Sequence, residues 1–162
     1  MGVRKYTNHP RIYLDMDGVL ADFEKGARDA GLLMKDFKMK PGSYRNLPVY
    51  PGAIEGVDAL EAMGYELFIL TKPPKGNYLA ATEKLQWVAE HFPDLADRVF
   101  ITPDKGAVGE PKDILIDDHP EWANAENFGG TVLTFLSWVQ ILELVQQHRT
   151  QTTPPATPSK PA

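Results

Sequence analysis

The sequence predicts an α/β fold with a parallel sheet lying between layers of helix. Two observations carry that expectation. Short apolar, β-prone runs alternate with stretches of helical composition along most of the 162 residues, and such alternation builds a parallel sheet with helices on both faces. Three of the runs also end in groups suited to metal or phosphate. Ile12-Tyr13-Leu14 leads into Asp15-Met16-Asp17, Leu67-Phe68-Ile69-Leu70 into Thr71-Lys72, and Ile114-Leu115-Ile116 into Asp117-Asp118. Ligands of open α/β sheets bind outside the carboxyl ends of the strands, so three such endings point to one site.

The first strand is read over residues 11–17, and Gly18 supplies the backbone freedom for a bend after it. Residues 21–33 suit a helix interrupted at Gly26 and Gly31. From 34 to 50 the chain is irregular and basic, with Pro41, Gly42 and Pro48 breaking any long element. A helix starts near Pro51-Gly52, with Ala53, Val57, Leu60 and Ala62 as its apolar face and Gly64 as its stop. Residues 65–70 form the second strand. Asn77 is placed to cap a helix reaching about His91, with Leu79, Leu85, Val88 and Ala89 in its buried stripe. Strands three to five are read at 99–101, 113–116 and 131–135. Ser137 then caps a last helix with Val139, Ile141, Leu142 and Val145 as its apolar positions. Trp87, Trp122 and Trp138 fall in helical patterns and read as packing residues. Residues 150–162, rich in Pro and Thr, read as a disordered tail, leaving 1–149 as one domain. The expected architecture is three-layer and Rossmann-like, with a short cap insertion at about 24–50 after the first strand.

Composition narrows the function. The 43% hydrophobic and 24% charged content is that of an ordinary soluble domain, and no apolar run approaches the ~20 residues of a membrane helix. Met1 to Pro10 is polar and lacks the apolar core of a secretory signal, so a cytoplasmic protein is expected. The chain has no cysteine, which removes disulfides, thiolate ligands and cysteine nucleophiles. A net charge of −5 disfavours a long nucleic acid, whose binding needs a basic surface. A small anionic substrate needs only local positive charge.

Like charges held together are costly unless a cation or a shared proton relieves them. Either acid pair alone would suit a helix cap or a surface turn; the two together, in order with Thr71, read as a divalent-metal and acid/base site. That order resembles the haloacid dehalogenase (HAD) superfamily of phosphohydrolases, whose motifs are Asp-x-Asp, a Thr or Ser, a Lys and a late acidic pair. The strings from Asp15 to Phe23, from Leu47 to Ala53, and Asp117-Asp118-x-Pro120 further resemble the 5'(3')-deoxyribonucleotidases.

The resemblance implies a Mg²⁺-dependent phosphomonoesterase. Asp15 would be the nucleophile that forms an aspartyl-phosphate. Asp17 would be the general acid for the leaving oxygen and then the base for water. Asp15, the Asp17 carbonyl and one or both of Asp117 and Asp118 would hold Mg²⁺, with Asp118 favoured as the direct ligand. Thr71 would bind a phosphoryl oxygen. Lys105, in Thr102-x-Asp104-Lys105, is preferred over Lys112 as the lysine that neutralises Asp15 and the phosphoryl group. Phe23 corresponds to an aromatic residue that packs on the base, although an ordinary core role fits it nearly as well. His119 reads as a loop residue.

Two departures stand out. Lys72 occupies a position where the deoxyribonucleotidases carry a small hydroxyl residue, and it would add positive charge there. The cap insertion is short, so most residues that close over the base have no counterpart, with Phe37, Tyr44 and Tyr50 the available aromatics. A short cap leaves a mouth that a neighbouring subunit of a homo-oligomer could cover. The expected substrate is a nucleoside monophosphate. A sugar phosphate or a polynucleotide end would keep the chemistry, whereas a receiver-type phospho-accepting domain or a silent binding protein would not.

Overall fold

The computed structural model describes residues 9–152, and the tail expected from residue 150 lies largely outside them. Five strands, β1 (Arg11–Leu14), β2 (Glu66–Thr71), β3 (Val99–Ile101), β4 (Ile114–Asp117) and β5 (Thr131–Thr134), form one sheet in the order β3-β2-β1-β4-β5. Every neighbouring pair is parallel. The helices are α1 (Phe23–Asp29), α2 (Met34–Phe37), α3 (Ala53–Ala62), α4 (Ala80–His91) and α5 (Trp138–Thr152). The fold is thus the parallel, Rossmann-like α/β sheet expected.

Strand periodicity sorts the core. Ile12, Leu14, Leu67, Ile69, Ile114 and Ile116 point to one face and are buried with Val57, Leu60, Trp87, Val88, Ile141 and Val145 of α3, α4 and α5. Tyr13, Phe68, Leu70 and Leu115 point to the other, beneath Ala125 and Phe128. This second face carries two 3-10 turns, Lys105–Ala107 and Ala125–Asn127. Tight packing fixes the α3–α5 contact, since a Cβ on Gly56 would lie 2.0 Å from the Trp138 ring.

The strand order reverses at β1, which has β2 on one side and β4 on the other. The crevice at such a switch point is where open sheets bind ligands. This order also removes the receiver-type reading, because those domains are built in the order 2-1-3-4-5.

Several local expectations need correction. Asn77 does not cap α4; its side chain donates to the Lys38 carbonyl at 2.9 Å, and α4 begins without a side-chain cap. The buried stripe of α4 is Ala80, Glu83, Lys84, Trp87 and Val88, whereas Leu79, Leu85 and Ala89 are exposed. Ala62 and Val139 are exposed as well. Trp122 lies outside any helix and is 62% exposed, stacked on His119 at 3.8 Å. The last helix passes residue 149 and ends at Thr152, with Ser137 Oγ accepting from the Gln140 N–H as its cap.

The insertion at about 24–50 holds most of α1 and one further short helical turn, α2, and is otherwise irregular. It is tied down on both sides. Tyr50 N–H donates to the Leu20 carbonyl, and Asp22 N–H to that of Pro48, both at 2.8 Å. Glu83 of α4 accepts from the Gly42 and Tyr44 amides at 2.6 and 3.2 Å, and Trp87 Nε1 donates to the Leu47 carbonyl at 2.8 Å.

Candidate active site

β1 ends at Leu14, and the Asp15 amide still bonds across to the Ile116 carbonyl of β4. The chain then turns tightly, the Met16 carbonyl accepting from the amides of Val19, Leu20 and Ala21. Gly18 adopts φ +81°, and a Cβ there would lie 2.1 Å from Asp118 Oδ2. Glycine is therefore required both by the turn and by the close approach of the second acid pair.

Asp15, Asp117 and Asp118 each present a carboxylate oxygen within 4.8 Å of the others. Lys105 reaches this trio from the 3-10 turn after β3. Its Nζ lies 2.9 Å from Asp15 Oδ1 and 2.7 Å from Asp117 Oδ2. Burial works against its charge, but Asp15 and Asp117 outweigh that and hold its pKa above the usual lysine value. Lys105 is positioned by Asp104, which accepts from the Gly106 amide and the Asn124 side chain, and by its own amide donating to the Ala123 carbonyl. Lys112, the other candidate, is exposed next to the start of β4.

The two members of the late pair differ. Asp117 has both oxygens engaged, Oδ2 by Lys105 and Oδ1 by the His119 amide at 2.8 Å. Burial and then the Asp15 charge still push its pKa up. Asp118 is raised to about 8 by burial and then by the charge and hydrogen bond of Asp15. One lysine thus faces three carboxylates, which leaves an excess of negative charge. A hard divalent cation bound by Asp15 and Asp118 would relieve it, so the donor set fits Mg²⁺.

The Asp17 carboxylate is not part of this trio, contrary to a simple convergence of all four acids. Its Oδ2 is ion-paired at 2.7 Å with Lys84, a residue that the sequence reading did not single out. Lys84 Nζ also donates to Thr71 Oγ1 at 3.0 Å and lies 4.6 Å from the Tyr44 ring centre. Thr71 is buried at the end of β2, beside β1, and its carbonyl accepts from the Thr102 amide. Lys72, the next residue, is exposed.

Phe23 stands at the start of α1, stacked on Tyr44 at 5.4 Å and packed on Phe37 at 5.2 Å. Phe37 and Tyr44 are themselves buried. A cavity of about 430 Å³ lies between α1 and the segment 37–48, with Asp29, Lys40 and Asn46 in its wall. None of Asp15, Asp17, Asp117, Asp118, Lys84 and Lys105 lines it. His119 is partly exposed, its Nδ1 2.8 Å from Glu121 Oε1, which raises its pKa.

This arrangement, acids at the ends of β1 and β4 with a threonine at the end of β2, is that of the HAD-type hydrolases. A haloacid dehalogenase-like hydrolase from Xanthomonas campestris superposes with a TM-score of 0.57 at 13% identity, over 93% of this chain and 96% of that one. The family described as 5' nucleotidase, deoxy (pyrimidine), cytosolic type C protein matches residues 31–143. The mitochondrial 5'(3')-deoxyribonucleotidase of Mus musculus is 31% identical over 150 residues, 72% of this chain and 67% of that protein. The human cytosolic type is 31% identical over 142 residues, 67% of this chain and 70% of that protein. The chain belongs to the 5'(3')-deoxyribonucleotidase family of HAD-fold phosphoric monoester hydrolases.

Proposed function

We propose that this protein hydrolyses nucleoside monophosphates in a Mg²⁺-dependent reaction through an aspartyl-phosphate. The observation that carries the proposal is the placement of Asp15 against Lys105 and within 4.8 Å of the Asp117 and Asp118 carboxylates. Asp15 attacks phosphorus, and the P–O bond to the nucleoside breaks. Asp17 gives the departing oxygen a proton and later takes one from the water that cleaves the acyl phosphate. Lys105 and the Thr71 hydroxyl offset charge on the transferring phosphoryl group. Asp15, the Asp17 carbonyl and Asp118 are the proposed Mg²⁺ ligands, with Asp117 behind them. The cation would supply electrostatic stabilisation of the phosphoryl oxygens.

Nucleoside monophosphates are preferred as substrates because the similar proteins are named deoxyribonucleotidases. One observation favours a second reading, a smaller ester such as a sugar phosphate. Phe37 and Tyr44 of the insertion pack on Phe23, and Tyr50 packs on Phe135. The cytoplasm is the proposed compartment, in keeping with the cytosolic human relative. The test is hydrolysis of the common 5'- and 3'-nucleoside monophosphates and a panel of sugar phosphates, each with Mg²⁺ and with EDTA. Release of phosphate from the nucleotides, abolished by EDTA, is expected. Turnover unaffected by EDTA would remove the metal, and turnover of sugar phosphates alone would replace the substrate.

A further inference from the structure

Lys84 is 0% exposed, the most deeply buried charged residue among those described. It sits on the core face of α4 among Ala80, Trp87 and Val88, where an apolar side chain would pack at no desolvation cost. A buried ammonium persists only with partners for its charge and its three N–H groups. Lys84 has three: Asp17 Oδ2 at 2.7 Å, Thr71 Oγ1 at 3.0 Å and the face of the Tyr44 ring at 4.6 Å. Its donors are therefore used within the protein, and it has none to offer a substrate phosphoryl oxygen. Asp17 is engaged through one oxygen only. Its Oδ1 is buried and has no hydrogen-bond partner among the described residues.

We propose that Lys84 is a positioning residue for the Asp17 carboxyl. It anchors the carboxyl through Oδ2, with Thr71 and Tyr44 fixing the ammonium in turn, and so sets the orientation in which Asp17 meets the leaving group. As the P–O bond breaks, its electron pair stays on the leaving oxygen, which takes the proton of the Asp17 carboxyl. In the second half-reaction the same carboxyl receives the proton of the attacking water. The anchor explains why the two carboxylates of Asp-x-Asp serve different roles. Lys105 and the metal-competent acids hold Asp15, whereas Lys84 draws Asp17 away from that cluster.

This inference rests on the proposed phosphomonoesterase reading, and the experiment separates the two. The full chain, Lys84→Met, Asp17→Asn and the double variant would be compared with Mg²⁺ on a nucleoside monophosphate and on p-nitrophenyl phosphate. p-Nitrophenolate leaves without protonation, so its burst reports phosphoryl transfer independently of the acid. Lys84→Met is expected to lose about 10²-fold in nucleotide turnover with KM little changed, while keeping the p-nitrophenolate burst. Adding Lys84→Met to Asp17→Asn should cost no more than about twofold further on the nucleotide. Should Lys84→Met fail to fold, the double variant, which strands no buried charge, is compared with Asp17→Asn alone. Equal loss on both esters, or a full further loss in the Asp17→Asn background, would overturn the role of Lys84 alone. An unaltered chain inactive on every ester would overturn the proposed function, and this inference with it.

Discussion

Asp15 and Asp17 are one residue apart yet pair with different lysines, and this division predicts different outcomes for their removal. Asp15→Asn removes the proposed nucleophile and is expected to abolish phosphate release from every ester. Asp17→Asn is expected to slow a nucleoside monophosphate by about 10²–10⁴-fold, the worth of general acid catalysis. With p-nitrophenyl phosphate it should give a burst followed by slow turnover, because only the second step still needs the base. Stopped-flow measurement of p-nitrophenolate checks this, and loss of the burst would make Asp17 a structural residue. Gly18 offers a third residue-scale test. A Cβ at this position would meet Asp118 Oδ2 at 2.1 Å on a backbone of φ +81°. Gly18→Ala is therefore expected to weaken Mg²⁺ activation, read as a higher Mg²⁺ concentration at half-maximal rate, more than it alters KM at saturating metal.

α4 acts as the clamp of the insertion as well as the carrier of Lys84. Glu83 receives two backbone amides, Trp87 donates to a third point, and Lys84 lies beneath the Tyr44 ring. Glu83→Ala leaves the Gly42 and Tyr44 amides without their acceptor, at a cost of about 1–3 kcal/mol where such groups stay buried. The expected result is a lower denaturation midpoint together with faster proteolytic cleavage between residues 38 and 46. Unchanged cleavage would show that the insertion is held by the β1-side bonds of Leu20 and Pro48 alone. Because Phe37 and Tyr44 are spent on packing Phe23, discrimination among bases is expected to stay within ~1–3 kcal/mol. A panel of nucleoside monophosphates measures this as ratios of kcat/KM.

At the scale of the molecule, the site couples pH to stability through Asp118. Burial and then Asp15 raise its carboxyl from an ordinary 3.8 to about 8. With the folded value above the unfolded one, the folded chain binds more protons between the two. The metal-free protein therefore keeps this contribution to stability below 3.8 and loses it as pH rises to about 8. Under the proposed function, Mg²⁺ would take the place of the proton and stabilise only the folded chain. Thermal unfolding should show a larger rise in Tm with Mg²⁺ at about pH 8 than at about pH 5.5. A rise that does not grow with pH would mean that the metal does not displace the Asp118 proton.

The amino-acid sequence by itself determined the strands and the groups at their ends. Burial of alternate residues is a local, period-two property, legible in Ile12-Tyr13-Leu14 and Ile114-Leu115-Ile116, and the polar residues beyond them follow directly along the chain. Lys105 was legible through the resemblance of Thr102-x-Asp104-Lys105 to the deoxyribonucleotidase pattern, a short string after β3. Pairing through space was not legible. Lys84 lies 67 residues from Asp17, in a helix whose leucines suggested a different buried stripe. Polar residues replace apolar ones on that face because distant partners satisfy them: the Gly42 and Tyr44 amides for Glu83, and Asp17 and Thr71 for Lys84. Hydrophobic periodicity cannot register a buried charge whose compensation comes from another strand. Only the tertiary structure, by bringing β1, β2, α4 and the insertion to one point, decided which lysine serves which aspartate.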